Sequence, residues 1–457
     1  MHDLDHVALG EDPFGPGRRR DDVAVEFHGH AATGEAQGGD EVGHGGAFVE
    51  VSVFTVDPQP HPDVRSATVA DLQPGVALLS DRVAPPDPVS STPVARIDTN
   101  ALAHNFAEVR RLVGPGVGVL AMVKSDAYGH GAELCAAALA RAGCRSFGVA
   151  AVEEAAEIAP AVRDVAGDAR LVVFGGILPE EAAAAVEAGA EVSTQEIEVV
   201  RALGRCGSAA GREVNVHVKV DTGMHRLGVA PADVVAFVRE ASAVAGVRVV
   251  AICSHFALAE SVTGEVTAGQ LEFLLAADAA LREAGIVVER HLANSAAILS
   301  RPEAHLDMVR PGIMLYGIAP DPSLRGRADL RPVMRLTARV VRVADVAAGE
   351  GIGYGHTFRT AAPTRVATVR CGYADGYPRH LGNRGQATLH GTAVPLVGRV
   401  CMDHTMFDVS GVEGVAVGDE VTLWGGNPCV EDMAARADTI AYELVARVGK
   451  RVRRVAA

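Results

Sequence analysis

The sequence predicts a closed (β/α)8 barrel followed by a mainly β domain, and three observations carry that prediction. Between residues 118 and 317, eight short runs rich in branched residues alternate with alanine-rich segments of helical period, the pattern of a parallel sheet whose strands are joined by crossover helices. Eight such units in roughly 220 residues fit the usual size of an eightfold barrel, about 250. After Pro320 the alternation stops, and RLTARVVRVADV, RVATVRCGYADG, QATLHGTAVPLVGRVCMDHTMFDVS and GDEVTLWG read as strands joined by glycine turns, with no helices between them.

The barrel strands are expected at GVLAMVK (118–124), SFGVAA (146–151), RLVVFGG (170–176), EVSTQ (191–195), VNVHVKVD (214–221), VVAICSHF (249–256), RHLANS (290–295) and DMVRPGIMLYG (307–317). A doubly wound open sheet uses the same alternation, but no G-x-G-x-x-G follows the first strand. One helix, about Met433 to Val448, is expected to close the chain. Residues 1–92 differ from the rest: the first fifty hold ten glycines and five histidines, His2, His6, His28, His30 and His44, with little periodicity. That stretch is expected to be a disordered leader or the product of a start codon placed too far upstream, and the histidine spacing is too irregular for a metal tract. The expected division is a leader over 1–92, a barrel over 93–325 and a β domain over 326–457.

Composition narrows the function. Forty-two Lys and Arg against fifty-seven Asp and Glu give a formal charge of −15, and the only basic cluster is RVGKRVRR near the end, so nucleic acid is not an expected partner. Seven cysteines without a C-x-x-C pair or a zinc spacing indicate neither a disulfide framework nor a structural metal, and point to a reducing, cytoplasmic compartment. The N-terminus has no signal-peptide pattern and nowhere do 18 apolar residues run together, so no membrane span is expected.

In a barrel, active sites form where the strands end. The polar residues there are Lys124, Arg226, His255, Asn294, Ser295 and Arg310. Any one of them has a structural use, as a satisfied core histidine, a cap or a paired arginine; six at one rim point to a site. Lys124 is the most telling, because lysine is rarely buried unless paired or chemically used. Desolvation favours its neutral form, and a neutral amine attacks carbonyls, so a Schiff-base lysine is expected.

VKSDAYGHG around Lys124 resembles the cofactor-lysine motif of the bacterial alanine racemases, which bind pyridoxal 5′-phosphate (PLP). KVDTGMHRLG (219–228), CSHFA (253–257), NSAA (294–297), VRPGIMLYG (309–317), GIGYGHTF (351–358), GYADGYPR (372–379), GRVCMDHTMFDV (398–409) and AYELVARV (441–448) match that family in order, over about residues 94–450. The resemblance implies the same barrel and β domain, PLP as cofactor, alanine as substrate, and a homodimer whose site is completed by the partner's β domain.

It also implies roles. Lys124 would carry PLP as an imine, and Tyr128, four residues on and on the same helical face, would reach its phosphate with Ser295, Tyr442 and the backbone N–H groups of Gly312 and Ile313; Asn294 would lie beside them. Arg310 would face the pyridine nitrogen. Having only donors, it would leave that nitrogen unprotonated and the ring a weaker electron sink, with His255 orienting it. Racemisation needs a base on each face of a planar intermediate: Lys124 on one and, from the partner, Tyr354 on the other. A phenol of pKa about 10 needs a nearby cation to act at neutral pH. Arg226 would hold the substrate carboxylate with the N–H of Met402, Asp403 would line the entrance, and Lys219 matches a lysine that is carbamylated in many members. The expected function is the interconversion of L- and D-alanine for peptidoglycan. A broader or serine-specific racemase shares these motifs, and a non-catalytic PLP carrier would lack the β domain. RVRR at 451–454 in place of R-V-P-R, and Glu260 in place of an aspartate, depart from the family pattern without touching these roles.

Overall fold

The computed structural model describes residues 91–260 and 264–457. The expected leader lies outside them but for its last two residues. The first described strand, β1 (Val94–Ile97), belongs to the C-terminal sheet. Asp98 then caps the helix Thr99–Val113, its carboxylate accepting from the backbone N–H groups of Asn100 and Ala101.

The eight branched runs fold as expected into parallel strands: β2 (Gly118–Met122), β3 (Ser146–Val149), β4 (Arg170–Val173), β5 (Glu191–Thr194), β6 (Val214–Lys219), β7 (Val247–Cys253), β8 (Glu289–Asn294) and β9 (Met308–Arg310). They pair in sequence order and β9 returns to β2, closing the barrel. Leu120, Phe147, Leu171, Val192, Val216, Ile252, Leu292 and Val309, one from each strand, are fully buried. This is the near-continuous hydrophobic strand that a sheet covered on both faces requires.

The second region contains β10 (Met334–Val346), β11 (Gly351–Ile352), β12 (Phe358–Arg359), β13 (Thr364–Val369), β14 (Gln386–Leu389), β15 (Thr392–Pro395), β16 (Thr405–Asp408), β17 (Glu420–Trp424) and β18 (Arg453–Ala456). The long strand β10 is its spine, pairing with β1, β13 and β17. Trp424, fully buried, stacks on Tyr377 with ring centroids 5.9 Å apart. Because β1 is antiparallel to β10 and parallel to β18, this sheet takes strands from both sides of the barrel in sequence, and a boundary at residue 93 cuts differently from the pairing.

The close of the chain also differs from expectation. Instead of one helix over about 433–448 there are two, Val430–Arg436 and Ala441–Ala446, separated by Asp438 at φ 58°. A residue in the left-handed region ends a right-handed helix, and aspartate tolerates that region better than most. The strand β18 then follows. Among the described residues no helix is long and apolar enough to cross a membrane.

Candidate active site

Lys124 follows β2 directly, at the C-terminal mouth of the barrel, and opens on a cavity of about 570 Å³. Tyr128, Lys219, Arg226, His255, Asn294, Ser295, Arg310, Gly312, Ile313 and Tyr442 also line it. Among the described residues, the lining carries four basic side chains, Lys124, Lys219, Arg226 and Arg310, and no carboxylate. Such a cavity suits an anionic ligand. Burial, reinforced by the Arg226 cation, holds the Lys124 amine below the ordinary lysine range, and burial brings Lys219 down to about 8.

The turn carrying Lys124 is not the right-handed helix expected from the four-residue spacing to Tyr128. Ser125, Asp126, Ala127 and Tyr128 all have φ between 52° and 54° with ψ between 39° and 53°, a single left-handed turn. For L-residues that conformation costs roughly 1–2 kcal/mol each, so it persists only where its surroundings impose it. Here they do. The Ser125 N–H donates to Glu154, Asp126 accepts from the Ala132 N–H, and the buried His130 ring meets the carbonyls of Ala127 and Tyr128 through Nδ1 at 3.1 and 2.9 Å. Gly129 closes the turn at φ 80°, where a Cβ would stand 1.9 Å from the Val445 carbonyl oxygen. From β18, Arg454 donates to the Gly129 carbonyl and pairs with Asp126.

Tyr128 is thereby aimed at Gly312, whose missing side chain makes room: a Cβ there would lie 2.3 Å from the Tyr128 hydroxyl. Ser295 Oγ accepts from the Gly312 N–H at 2.8 Å, and Asn294 caps the helix Ser295–Ser300 through the Ala297 N–H. Burial raises the Tyr128 and Tyr442 phenols well above their usual range, so both stay protonated donors. Three hydroxyls and the start of the 3-10 turn Ile313–Tyr316 form a donor set for a phosphate. With an amine of lowered pKa in the same cavity, the residues fit a phosphorylated aldehyde cofactor.

Arg310 ends β9 at the buried centre of the site. Its Nη2 donates to the Ser254 and Leu292 carbonyls and lies 3.3 Å from His255 Nδ1. Its Nη1 donates to His291 Nδ1 at 2.8 Å. From there a chain that sequence reasoning missed crosses the barrel: His291 Nε2 to His217 Nδ1 at 2.8 Å, His217 Nε2 to Glu191 Oε2 at 2.8 Å, and Glu191 to Arg170 through both oxygens at 3.0 Å. The available signal is VNVHVKVD, where Asn215, His217 and Lys219 recur at period two inside an otherwise apolar strand.

Tyr354, Met402 and Asp403 are not brought to this cavity within the chain. Tyr354 is 70% and Met402 53% exposed, and Tyr354 lines a separate groove with Cys401 and His404. Asp403 pairs with Arg451, which is anchored in turn on the fully buried Asp375.

Residues 97–320 match the family described as alanine racemase, N-terminal domain, and residues 333–456 the one described as alanine racemase, C-terminal domain. The alanine racemase of Desulfovibrio desulfuricans is 42% identical over 363 residues, covering 79% of this chain and 97% of the relative. That of Chlorobaculum tepidum is 40% identical over 363 residues, covering 79% and 94%. Among solved structures, alanine racemase from a D-cycloserine-producing Streptomyces lavendulae superposes with a TM-score of 0.75 at 37% identity, over 80% of this chain and 97% of that one. The Bartonella henselae alanine racemase with covalently bound pyridoxal phosphate gives 0.71 at 28% identity, over 80% and 99%.

Proposed function

The chain belongs to the alanine racemase family, and from that membership we propose that the protein is an isomerase interconverting L- and D-alanine with PLP, acting in the cytoplasm to supply D-alanine for peptidoglycan. The observation that carries this reading is the cavity at the barrel mouth, where an amine of lowered pKa stands among basic and hydroxyl groups without a carboxylate. When bound, the cofactor supplies an electron sink for the carbanion at the substrate Cα. Everything else is done by the protein.

Tyr128, Ser295 and Tyr442, with the N–H groups at Gly312 and Ile313, would hold the cofactor's phosphate, and Asn294 fixes the helix start beside them. Arg310, which has only donors and keeps its proton, would face the cofactor's ring nitrogen and leave it unprotonated. His255 orients Arg310. Burial first, and then the Arg310 cation, keeps that histidine neutral.

Two bases would serve the opposite faces of the substrate Cα. Lys124, its amine held below the ordinary lysine range by burial and the Arg226 cation, would take or return the proton on one side. Tyr354 of a second copy does so on the other, since its exposure leaves it free to enter a partner's cavity. Arg226 grips the substrate carboxylate together with the partner's Met402 N–H, and the partner's Asp403 lines the way in. The pairing of Asp403 with Arg451 keeps that loop in place. Lys219, depressed to about 8, is partly neutral at pH 7 and can add CO2 with loss of a proton, giving a carbamate anion that steers Arg226.

A chiral assay against a panel of L-amino acids tests the reading. We expect L-alanine to racemise and serine and larger amino acids to turn over far more slowly. No D-product from L-alanine with PLP-saturated protein would reject it.

A further inference from the structure

The hydrogen-bond chain from Arg310 to Glu191 admits only one arrangement of protons. Arginine has five donors and no acceptor. His291 Nδ1, 2.8 Å from Arg310 Nη1, must therefore offer a lone pair, and a neutral imidazole that accepts at Nδ1 carries its proton at Nε2. That N–H points at His217 Nδ1, 2.8 Å away, so His217 also accepts at Nδ1 and donates from Nε2. Its N–H ends on the Glu191 carboxylate at 2.8 Å. A proton added to either imidazole would set donor against donor. Both rings are fully buried, and Phe174 packs edge-on against the two of them and under the Arg310 guanidinium, so no other partner is at hand.

Glu191 opens β5, at the barrel end opposite Lys124, and borders a second cavity of about 760 Å³. Its Oε1 accepts from Arg170 Nε and Asn215 Nδ2, its Oε2 from Arg170 Nη2 and His217. Arg170 is backed on its outer side by Glu289 at 3.2 Å. Burial by itself would raise the Glu191 carboxyl, but the donors from His217 and Arg170 outweigh it and bring the group down to about 2.

We propose that Glu191 and His217 are positioning residues that dictate the tautomer of His291, and through it the donor geometry of Arg310 toward the ring nitrogen of a pyridine cofactor. The inference rests on the functional reading above for the identity of that cofactor and on the hydrogen bonds alone for the tautomers. Glu191 acts through two aligned imidazole dipoles rather than by touching the guanidinium. Arg310 keeps its charge and its orientation with no acid beside the ring nitrogen that could protonate it.

An amide in place of Glu191 cannot reproduce the pattern. If its oxygen faces His217, its NH2 faces the Arg170 donors. If its NH2 faces His217, both imidazoles must reverse, and His291 then presents Nδ1–H to Arg310.

The test is ¹⁵N NMR of histidine-labelled, PLP-bound enzyme, read at His217 and His291, each assigned by its own substitution. In the unaltered enzyme we expect both to be neutral with the proton on Nε2. In Glu191→Gln we expect a mixture or reversal, with cofactor affinity and kcat weakened about 10- to 100-fold, the range for lost outer partners of a bound group. Glu289→Gln, which leaves Glu191 in place, should keep both tautomers. A proton on Nδ1 of His291 in the unaltered enzyme overturns the proposal whether or not Glu191→Gln folds, and so do unchanged tautomers in a folded Glu191→Gln. Unaltered protein that shows the expected tautomers yet binds no PLP would instead overturn the functional reading and leave the tautomer assignment standing.

Discussion

Lys124 owes its chemistry to its surroundings. The amine that water would keep charged to high pH is held down by burial and by Arg226, and the family's chemistry requires it neutral. Lys124→Ala should abolish cofactor trapping by borohydride, and cofactor still covalently retained would exclude that lysine as the attachment point. If each base serves one face, as proposed, Tyr354→Phe should lose proton abstraction from one alanine enantiomer much more than from the other when solvent deuterium incorporation is followed separately; equal losses would defeat the two-base assignment. His130 makes a prediction about stability. Burial brings its pKa down to about 4 while the carbonyls of Ala127 and Tyr128 pull weakly the other way. Between about 4 and 6.5 the unfolded chain therefore binds a proton that the folded one does not, and stability falls as pH drops through that window, by a total on the order of 3 kcal/mol. Denaturant titrations at pH 7 and pH 5 should show about 2 kcal/mol of this loss from His130, and His130→Gln should remove that share, leaving what the buried His255 and His291 contribute.

At the scale of elements, the left-handed turn is the feature the sequence concealed. Lys-Ser-Asp-Ala-Tyr contains no glycine, and a four-residue spacing says that two side chains share a face without saying which way the chain winds. Handedness came from remote partners: Glu154, the Val445 carbonyl that demands Gly129, and Arg454. Gly129→Ala combines a positive φ with a clash against backbone and should cost several kcal/mol, at least about 2, and most of the cofactor affinity. Ser125→Gly, at an exposed position of the same turn, should be neutral or stabilising by about 0.5–1 kcal/mol. Thermal melts and cofactor titration of the two variants would separate the effects, and similar losses in both would show that the turn is not imposed from outside. The barrel strands, by contrast, were legible because a run of branched residues buried on both faces has few other uses. The relay residues Glu191, His217 and His291 were written in those same strands, but a histidine inside a strand reads as core until its neighbours are known.

For the whole molecule, the separation of Lys124 from Tyr354 within one chain is the fact with the most reach. If each site combines one protomer's barrel with another's β domain, mixing and reassociating Lys124→Ala with Tyr354→Phe, each inactive alone, should restore about one quarter of normal activity, since half of the pairs are mixed and each mixed pair has one intact site. No recovery after verified subunit exchange would place both bases in one chain. Here the sequence was informative in a different way: motif order suggested both the β domain and its loops, while the pairing of β1 with β18 and the break at Asp438 depended on contacts between distant segments that no local pattern encodes.

Arg454 lies 325 positions beyond Gly129 in the chain, yet it braces the loop beside the amine. During synthesis the barrel strands emerge first, and the turn that positions Lys124 must wait for β18 before it is fully restrained. A nascent chain halted before Arg453 should fold its barrel yet hold the proposed cofactor weakly, making its tight retention a late event in the birth of the protein.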